Sequence, residues 1–419
     1  MRRLFVGLVC VLVGVGVQMV HSASLSLMPG QSEIVFLSRH LAFLAISVTC
    51  GVIASKIPAS LLKDNSHVML AGLIALLLIV LIPGIGTRVN GAQRWLRFGR
   101  ISLQPSELGR IILPLVAART LCDLRAAGEF RLADVPRTLL PLALVLPLTI
   151  VEPDLGATVF LATGFGLALL LGGWPLKYFA GCLLLVVPAG FSLLALKSYQ
   201  MKRITGFMDA WQDLSQAPWQ IRQSLLSLGS GGLEGTGIGG GWQKLSYLPE
   251  ANTDFVFAVI GEELGLAGTL GVIVIWMGVF LTGRAVMRPL PRLSFEWILG
   301  STLVIQIVLQ ALANVAVVTA MVPPKGVPHP FISYGGTNLL VNLVAVGLVI
   351  GLSRSDSQNL SVDPPVDSRS KTEPWTEAAG IPNANAVDAN AVDVNAVGAA
   401  SVTATARGRS PDDDAAASD

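Results

Sequence analysis

The sequence predicts an all-α, polytopic membrane fold of about ten transmembrane helices, and three observations carry that expectation. Hydrophobic residues make up 52% of the 419 positions and charged residues only 13%, whereas a soluble chain carries about 25% charge. Apolar runs near the ~20 residues needed to cross a bilayer recur along the first 355 positions. The loops between those runs differ in their lysine and arginine content in a largely alternating way. A net charge of +2, with no basic run interleaved with aromatics, excludes a nucleic-acid partner. Cys10, Cys50, Cys122 and Cys182 are scattered through apolar segments as packing residues. His21, His40, His67 and His329 are equally dispersed and offer no zinc pair.

The first apolar run, 4–21, follows Arg2-Arg3 and ends in Ser22-Ala23-Ser24, a pattern that also suits a cleaved secretory signal. Runs at 34–54, 67–85, a short one at 107–121, and 138–152 come next. The last of these meets 155–172 through Glu152-Pro153-Asp154, and 175–196 follows. The longest connection, about Lys197 to Thr253, separates the seventh run from the eighth at 255–283, and 295–318 and 338–353 complete the set. With a cytoplasmic N-terminus, the loops holding Lys56, Lys63, Arg119, Arg125, Arg131, Arg137, Arg284, Arg288 and Arg292 fall inside. Arg88, Arg94, Arg97, Arg100, Lys202, Arg203, Arg222, Lys244 and Lys325 then lie outside, against the bias. Such residues are candidates for holding an anion such as a diphosphate, although any single one is more often a tolerated surface charge. Within the long connection, Gly229 to Gly241 has neither the ending nor the setting of a phosphate loop and suits tight turns and close packing. From 356 to 419 the chain turns to Ala, Asp, Pro, Ser and Asn with a near-repeat at 384–398, the composition of a disordered cytoplasmic tail after a membrane domain at 1–355.

Ionisable residues beside or within apolar runs are the candidates for chemistry. Asp254 directly precedes the eighth run, where capping is the commonest duty of an Asp and would depress its pKa. In an outer cavity it would instead act as a general base. Glu262 and Glu263 lie about two turns further on, as partners of a base or as interhelical hydrogen-bond acceptors. Glu107 and Arg110, at i and i+3, share one face of the fourth run as a salt bridge or a binding pair. Asp154 reads as a cap. The prolines of 322–330, followed by Gly335-Gly336, interrupt the helix pattern before the tenth run. Irregular backbone at that depth is tolerated only beside protein or a wet cavity.

Five stretches in this order resemble the SEDS family (shape, elongation, division and sporulation) over residues 4–354. They are Asn90-Gly-Ala-Gln-Arg-Trp95, Gln104-Pro-Ser-Glu107, Pro153-Asp-Leu-Gly156, Tyr247-Leu-Pro-Glu-Ala-Asn-Thr-Asp254 and Phe331-Ile-Ser-Tyr-Gly-Gly336. Tyr199-Gln-Met-Lys-Arg203, Gln243-Lys-Leu-Ser-Tyr-Leu-Pro-Glu-Ala251 and Lys325-Gly326 resemble the division branch more than the elongation branch. The first run resembles the family's retained first span. The resemblance implies a glycosyltransferase that polymerises lipid II, the undecaprenyl-diphosphate disaccharide pentapeptide, on the outer face of the bacterial inner membrane. It implies Asp254 as the catalytic residue and Arg94, Glu107, Arg110, Lys244, Lys325 and Ser333 as substrate-binding residues, with Glu262, Glu263 and Asn252 in support. It implies as partners a class B penicillin-binding transpeptidase of the FtsI type and other division proteins, within membrane lipid, and a divalent cation (Mg or Mn) as a candidate aid. Arg110 stands where the family has Lys, Asn252 where it has His, and Ser246 where its division branch often has Glu. The rival functions are a lipid II flippase, which needs polar residues through both membrane halves, and a scaffold that only activates the transpeptidase.

Overall fold

The computed structural model describes residues 1–24, 32–89, 91–99, 101–195, 205, 207–208, 213, 215, 217–244, 248–323 and 325–354. The expected tail at 356–419 and the Tyr199–Arg203 motif lie outside the described residues. Each of the ten apolar runs carries a helix. In chain order the helices are α1 (Arg2–Ser24), α2 (Ser32–Ala54), α3 (Ala59–Asp64), α4 (Ser66–Leu81), α5 (Pro105–Ala127) and α6 (Val135–Val151). They continue as α7 (Leu155–Leu171), α8 (Leu176–Ala195), α9 (Trp219–Ser230), α10 (Val256–Met287), α11 (Phe295–Val318) and α12 (Gly336–Leu352). Five segments, in α1, α2, α6, α10 and α11, are long and apolar enough to cross a membrane by themselves, and α4, α7, α8 and α12 contain shorter apolar stretches. The chain is a multi-pass membrane protein.

Of the helices in neither group (α3, α5 and α9), α5 is central. α5 carries Glu107, Arg110, Arg119, Asp123 and Arg125, yet every residue from Gly109 to Ala118 is buried. It packs against α4, α6, α7, α11 and α12, so Glu107 and Arg110 face protein and neighbouring helices shield them from lipid. α1 is built into the bundle through Phe5, Val9, Leu12 and Met19, and it lies along α10.

The two ends of the bundle differ. At one end Arg119 donates to the carbonyls of Lys63 (2.6 Å) and Asp64 (2.9 Å), and Arg125 donates to that of Leu293 (3.2 Å). Arg2 reaches the Ser353 carbonyl there too. These arginine-rich loops therefore share one face, as the charge bias requires. The opposite end carries the connections that precede α5, α7, α10 and α12.

Two features depart from the expected all-helical pattern. Residues between α4 and α5 form an antiparallel sheet, β1 (Gly86–Val89), β2 (Ala92–Phe98) and β3 (Ile101–Leu103), in the order β1-β2-β3. Gln93 pins it to the end of α4 by donating to the Val80 and Ile82 carbonyls, both at 3.0 Å. The second departure is a break in α10 at Gly265, whose φ of 65° is in the left-handed region that glycine adopts freely. Before the break, Val256 to Glu263 is buried at every position; after it, Leu266, Leu270, Val274, Met277 and Leu281 form an exposed apolar face. The eighth span therefore runs from the break onward rather than from 255, and the acids Glu262 and Glu263 belong to a short helix enclosed by protein.

The glycine-rich stretch explains that break. Thr236 and Gly237 donate their N–H groups to the Glu262 and Glu263 carbonyls at 2.9 and 3.0 Å, and Leu266 and Ala267 donate back to Gly232 and Leu233. A side chain at Gly235 would collide with the Glu263 carbonyl, so the tight turns and close packing expected of this segment are what it provides.

Candidate active site

A cavity of about 240 Å³ opens at the end away from the arginine-rich loops. The sheet contributes Arg94 and Trp95, α5 Glu107 and Arg110, and the turn before α7 Asp154. The segment before α10 contributes Glu250, Thr253 and Asp254, and α11 Gln310. The 322–335 connection and the start of α12 add Gly326, Tyr334, Thr337 and Asn338.

Asp254 is not the cap of α10. That position belongs to Phe255, and no side chain caps the helix. Among the described residues the Asp254 carboxylate has no hydrogen-bond or ion-pair partner, and it faces the cavity. Burial pushes its pKa up to about 7, with Glu250 adding to the rise and Arg94 opposing it. Its backbone, by contrast, is held firmly. Asn314 of α11 is fully buried and donates to the carbonyls of Asp254 and Val327, both at 2.7 Å. Ser333 donates to the Thr253 carbonyl (2.5 Å) and accepts from His329 N–H (2.7 Å). Tyr334 N–H donates to the Asn252 carbonyl (2.8 Å). The proline-rich connection is thus stitched onto the Asp254 turn. A Cβ at Gly326 would sit 2.8 Å from the Asp254 carboxylate, so a residue without a side chain keeps that carboxylate accessible.

The cations of the cavity are tied in different ways. Arg94 pairs with Asp154 at 3.2 Å, with its side chain 28% exposed. Asp154 also caps α7, accepting from Ala157 N–H (3.0 Å), and it accepts from Gln104 (2.7 Å). The capping role read from the sequence is therefore present, and the second carboxylate oxygen orients Arg94. Glu152, two residues earlier, is fully buried with both carboxylate oxygens unpartnered among the described residues. Burial raises its pKa to about 8, Asp154 adds to the rise, and Arg94 opposes it. Arg110 is enclosed by Glu107 (2.7 Å), Asn338 (3.3 Å), Gln310 and the Phe160 ring. Gln310 in turn donates to Asn338 (2.9 Å) and to the Pro328 carbonyl (2.7 Å).

Asp254, Arg94, Glu107 and Arg110 are therefore brought together, whereas other candidates from the sequence are not. Lys244 is buried in an ion pair with Glu263 (2.5 Å) and also donates to Ser22 of α1 (2.8 Å). It is not among the residues lining the cavity. Glu262 accepts from Trp242 and Gln243 N–H at 2.6 and 3.0 Å, fastening the glycine-rich connection. Ser333 and the Asn252 carbonyl serve the backbone framework. Lys325 is exposed beside the rim residue Gly326 and is not among the residues lining the cavity. Gln310 and Asn314 were missed in the sequence. Their signal is a polar residue every fourth position, Gln306-Gln310-Asn314, inside an apolar run, which puts all three on one helix face. Among the described residues no group of three or more His, Cys, Asp or Glu is arranged to hold a metal ion.

Comparisons with known proteins fit this arrangement. The family model for cell cycle proteins of the FtsW/RodA/SpoVE group matches residues 2–358. A probable peptidoglycan glycosyltransferase FtsW of Nitrosomonas europaea is 35% identical over 353 residues, which cover 83% of this chain and 91% of that protein. Its namesake from Legionella pneumophila is 36% identical over 365 residues, covering 86% and 92%. A chain from a study of how a peptidoglycan synthase complex coordinates polymerization and crosslinking superposes with a TM-score of 0.68 at 25% identity, covering 84% of this chain and 98% of that one. The chain belongs to the FtsW/RodA/SpoVE (SEDS) family of cell cycle proteins.

Proposed function

We propose that the protein is a peptidoglycan glycosyltransferase of the FtsW type, polymerising lipid II at the outer face of the cytoplasmic membrane, with Asp254 as general base. The observation that carries the reading is the Asp254 carboxylate, unpartnered among the described residues, on a rigidly held backbone and facing a cavity that also contains a partly exposed arginine. Glycosyl transfer to a sugar hydroxyl requires removal of the hydroxyl proton as the oxygen attacks the anomeric carbon. A carboxylate with a pKa near 7 is well matched to that task at neutral pH. The leaving group is a lipid diphosphate, and Arg94 is the cation in this cavity best placed to engage it. Its partner Asp154 keeps it oriented, while its exposed edge is free to take phosphate oxygens. The two terminal nitrogens of Arg110 are taken up by Glu107, Gln310 and Asn338, so it supports the wall and its charge acts at a distance.

Both charge bias and end-to-end asymmetry support an outer active site with both membrane-domain ends cytoplasmic, since Arg2 and Ser353 meet at the arginine-rich end. A class B penicillin-binding transpeptidase is the partner this reading calls for. Polymerisation of labelled lipid II by the purified protein, with and without that transpeptidase, tests the reading. Glycan strands should form and should vanish with Asp254→Asn. Transbilayer movement of lipid II without polymerisation would favour the flippase alternative.

A further inference from the structure

A second cavity, of about 590 Å³, lies at the arginine-rich end between α7, α10 and α11. Arg284, Arg288 and Arg292 line it, and no acidic residue does. Their guanidinium groups are exposed and have no ion-pair or hydrogen-bond partner among the described residues. Arg284 in the last turn of α10 and Arg288, the helical residue that caps it, are four residues apart on one face, and Arg292 comes from the turn that follows. Toward the helix interiors the lining becomes apolar, with Leu171, Phe280, Val304 and Ile305. Trp297, half-buried at the start of α11, sits among these residues, as indoles do at the headgroup level of a bilayer.

We infer that this cavity binds an anionic phospholipid of the adjacent, cytoplasmic leaflet, its phosphate on the three arginines and the start of an acyl chain along the apolar wall. The charge is one-sided where a headgroup would lie, and the apolar wall begins where hydrocarbon would begin. A free phosphate would use only the first half of this site, and an acidic peptide would have no use for the second. Basic pockets between transmembrane helices on the cytoplasmic side are suited to such headgroups. The site is separate from the Asp254 cavity, so it holds whether or not the polymerase reading does.

The test is lipid binding by the full chain in neutral detergent, titrated with dioleoyl phosphatidylglycerol, dioleoyl phosphatidylcholine or the soluble headgroup glycerophosphoglycerol, and read by native mass spectrometry. Phosphatidylglycerol should be retained at least tenfold more tightly than phosphatidylcholine, and the headgroup alone should bind weakly. Arg284→Gln, Arg288→Gln and Arg292→Gln should each lower retention about fivefold and together about a hundredfold. Ser301→Phe, which fills the cavity while keeping every arginine, should abolish the preference even if the triple variant inserts poorly. Equal retention of the two lipids, headgroup binding as tight as the whole lipid, or unchanged binding by Ser301→Phe would overturn the inference. So would an acidic peptide that competes equally well in wild type and Ser301→Phe.

Discussion

Replacing Asp254 with Asn should make the protein inactive and, above neutral pH, more stable. The carboxyl pKa is raised from 3.8 to about 7 by burial, so between those values the folded state binds a proton more readily than the unfolded chain does. The wild type therefore has its full stability below about pH 4, loses some as pH rises through 7, and levels off above that. A shift of about three units at ~1.36 kcal/mol each sets a ceiling of about 4 kcal/mol. The carboxylate opens onto a solvated cavity, and screening there reduces the expected cost to about 1–2 kcal/mol. Asn has the same shape and no charge, so the variant should match wild type at pH 4 and exceed it by about 1–2 kcal/mol at pH 8. Polymerisation should fall by about 10²–10⁴-fold, the usual contribution of a general base. In the wild type it should rise with pH through about 7 as the carboxylate ionises. Tryptophan-monitored melts of the detergent-solubilised protein from pH 4 to 8, beside gel assays of labelled lipid II, measure both effects. Near-normal polymerisation by the Asn variant would refute the base assignment. A variant with no pH-dependent gain in stability would refute the burial argument beneath it.

Arg94→Gln should raise the lipid II concentration needed for half-maximal rate while leaving membrane levels normal, because its side chain faces the cavity and is partly solvated. Arg110→Gln should instead destabilise the fold by about 3–5 kcal/mol, since it strands Glu107 and Gln310 in a buried network; comparing expression and melting of the two variants separates the roles. Lys244→Met should cost a similar amount by leaving Glu263 charged and unpaired, and adding Glu263→Leu should recover most of it, as thermal melts would register. Asn314→Leu removes the two hydrogen bonds that tie the Asp254 and Val327 carbonyls to α11 and should cost about 2–3 kcal/mol, with the polymerisation rate reduced although Asp254 is intact. Truncation at Asp356 should leave polymerisation by the purified domain unchanged, because every residue of the cavity precedes it.

What the sequence made readable follows physical range. Hydrophobic periodicity and charge bias act over one span at a time, so ten apolar runs became ten helices and the arginine-rich loops gathered at one end. The sheet at 86–103 escaped because its strands are short, and β2 mixes Gln93, Arg94 and Arg97 with its apolar residues, so it reads as a polar loop. The break at Gly265 escaped because Glu-Glu-Leu-Gly-Leu-Ala-Gly is compatible with an uninterrupted helix; its cause is a backbone exchange with Gly232 to Gly237, more than twenty-five residues away. Lys244 illustrates the same limit from the other side. As an outer cation against the topological bias it resembled a ligand for an anion, and its anion proved to be Glu263, bound with help from Ser22 of the first helix. Arg94 carried the same sequence signal and does face the cavity. The two are distinguished by supply: among the described residues Lys244 meets a carboxylate with no other cation, while Arg94 shares Asp154 with a helix cap and with Gln104 and retains an exposed edge. On the proposed function, a basic residue on the outer face would serve as a substrate ligand only to the extent that the fold leaves its charge incompletely matched, a condition that favours Arg94 over Arg110 within this cavity and over Lys244 outside it.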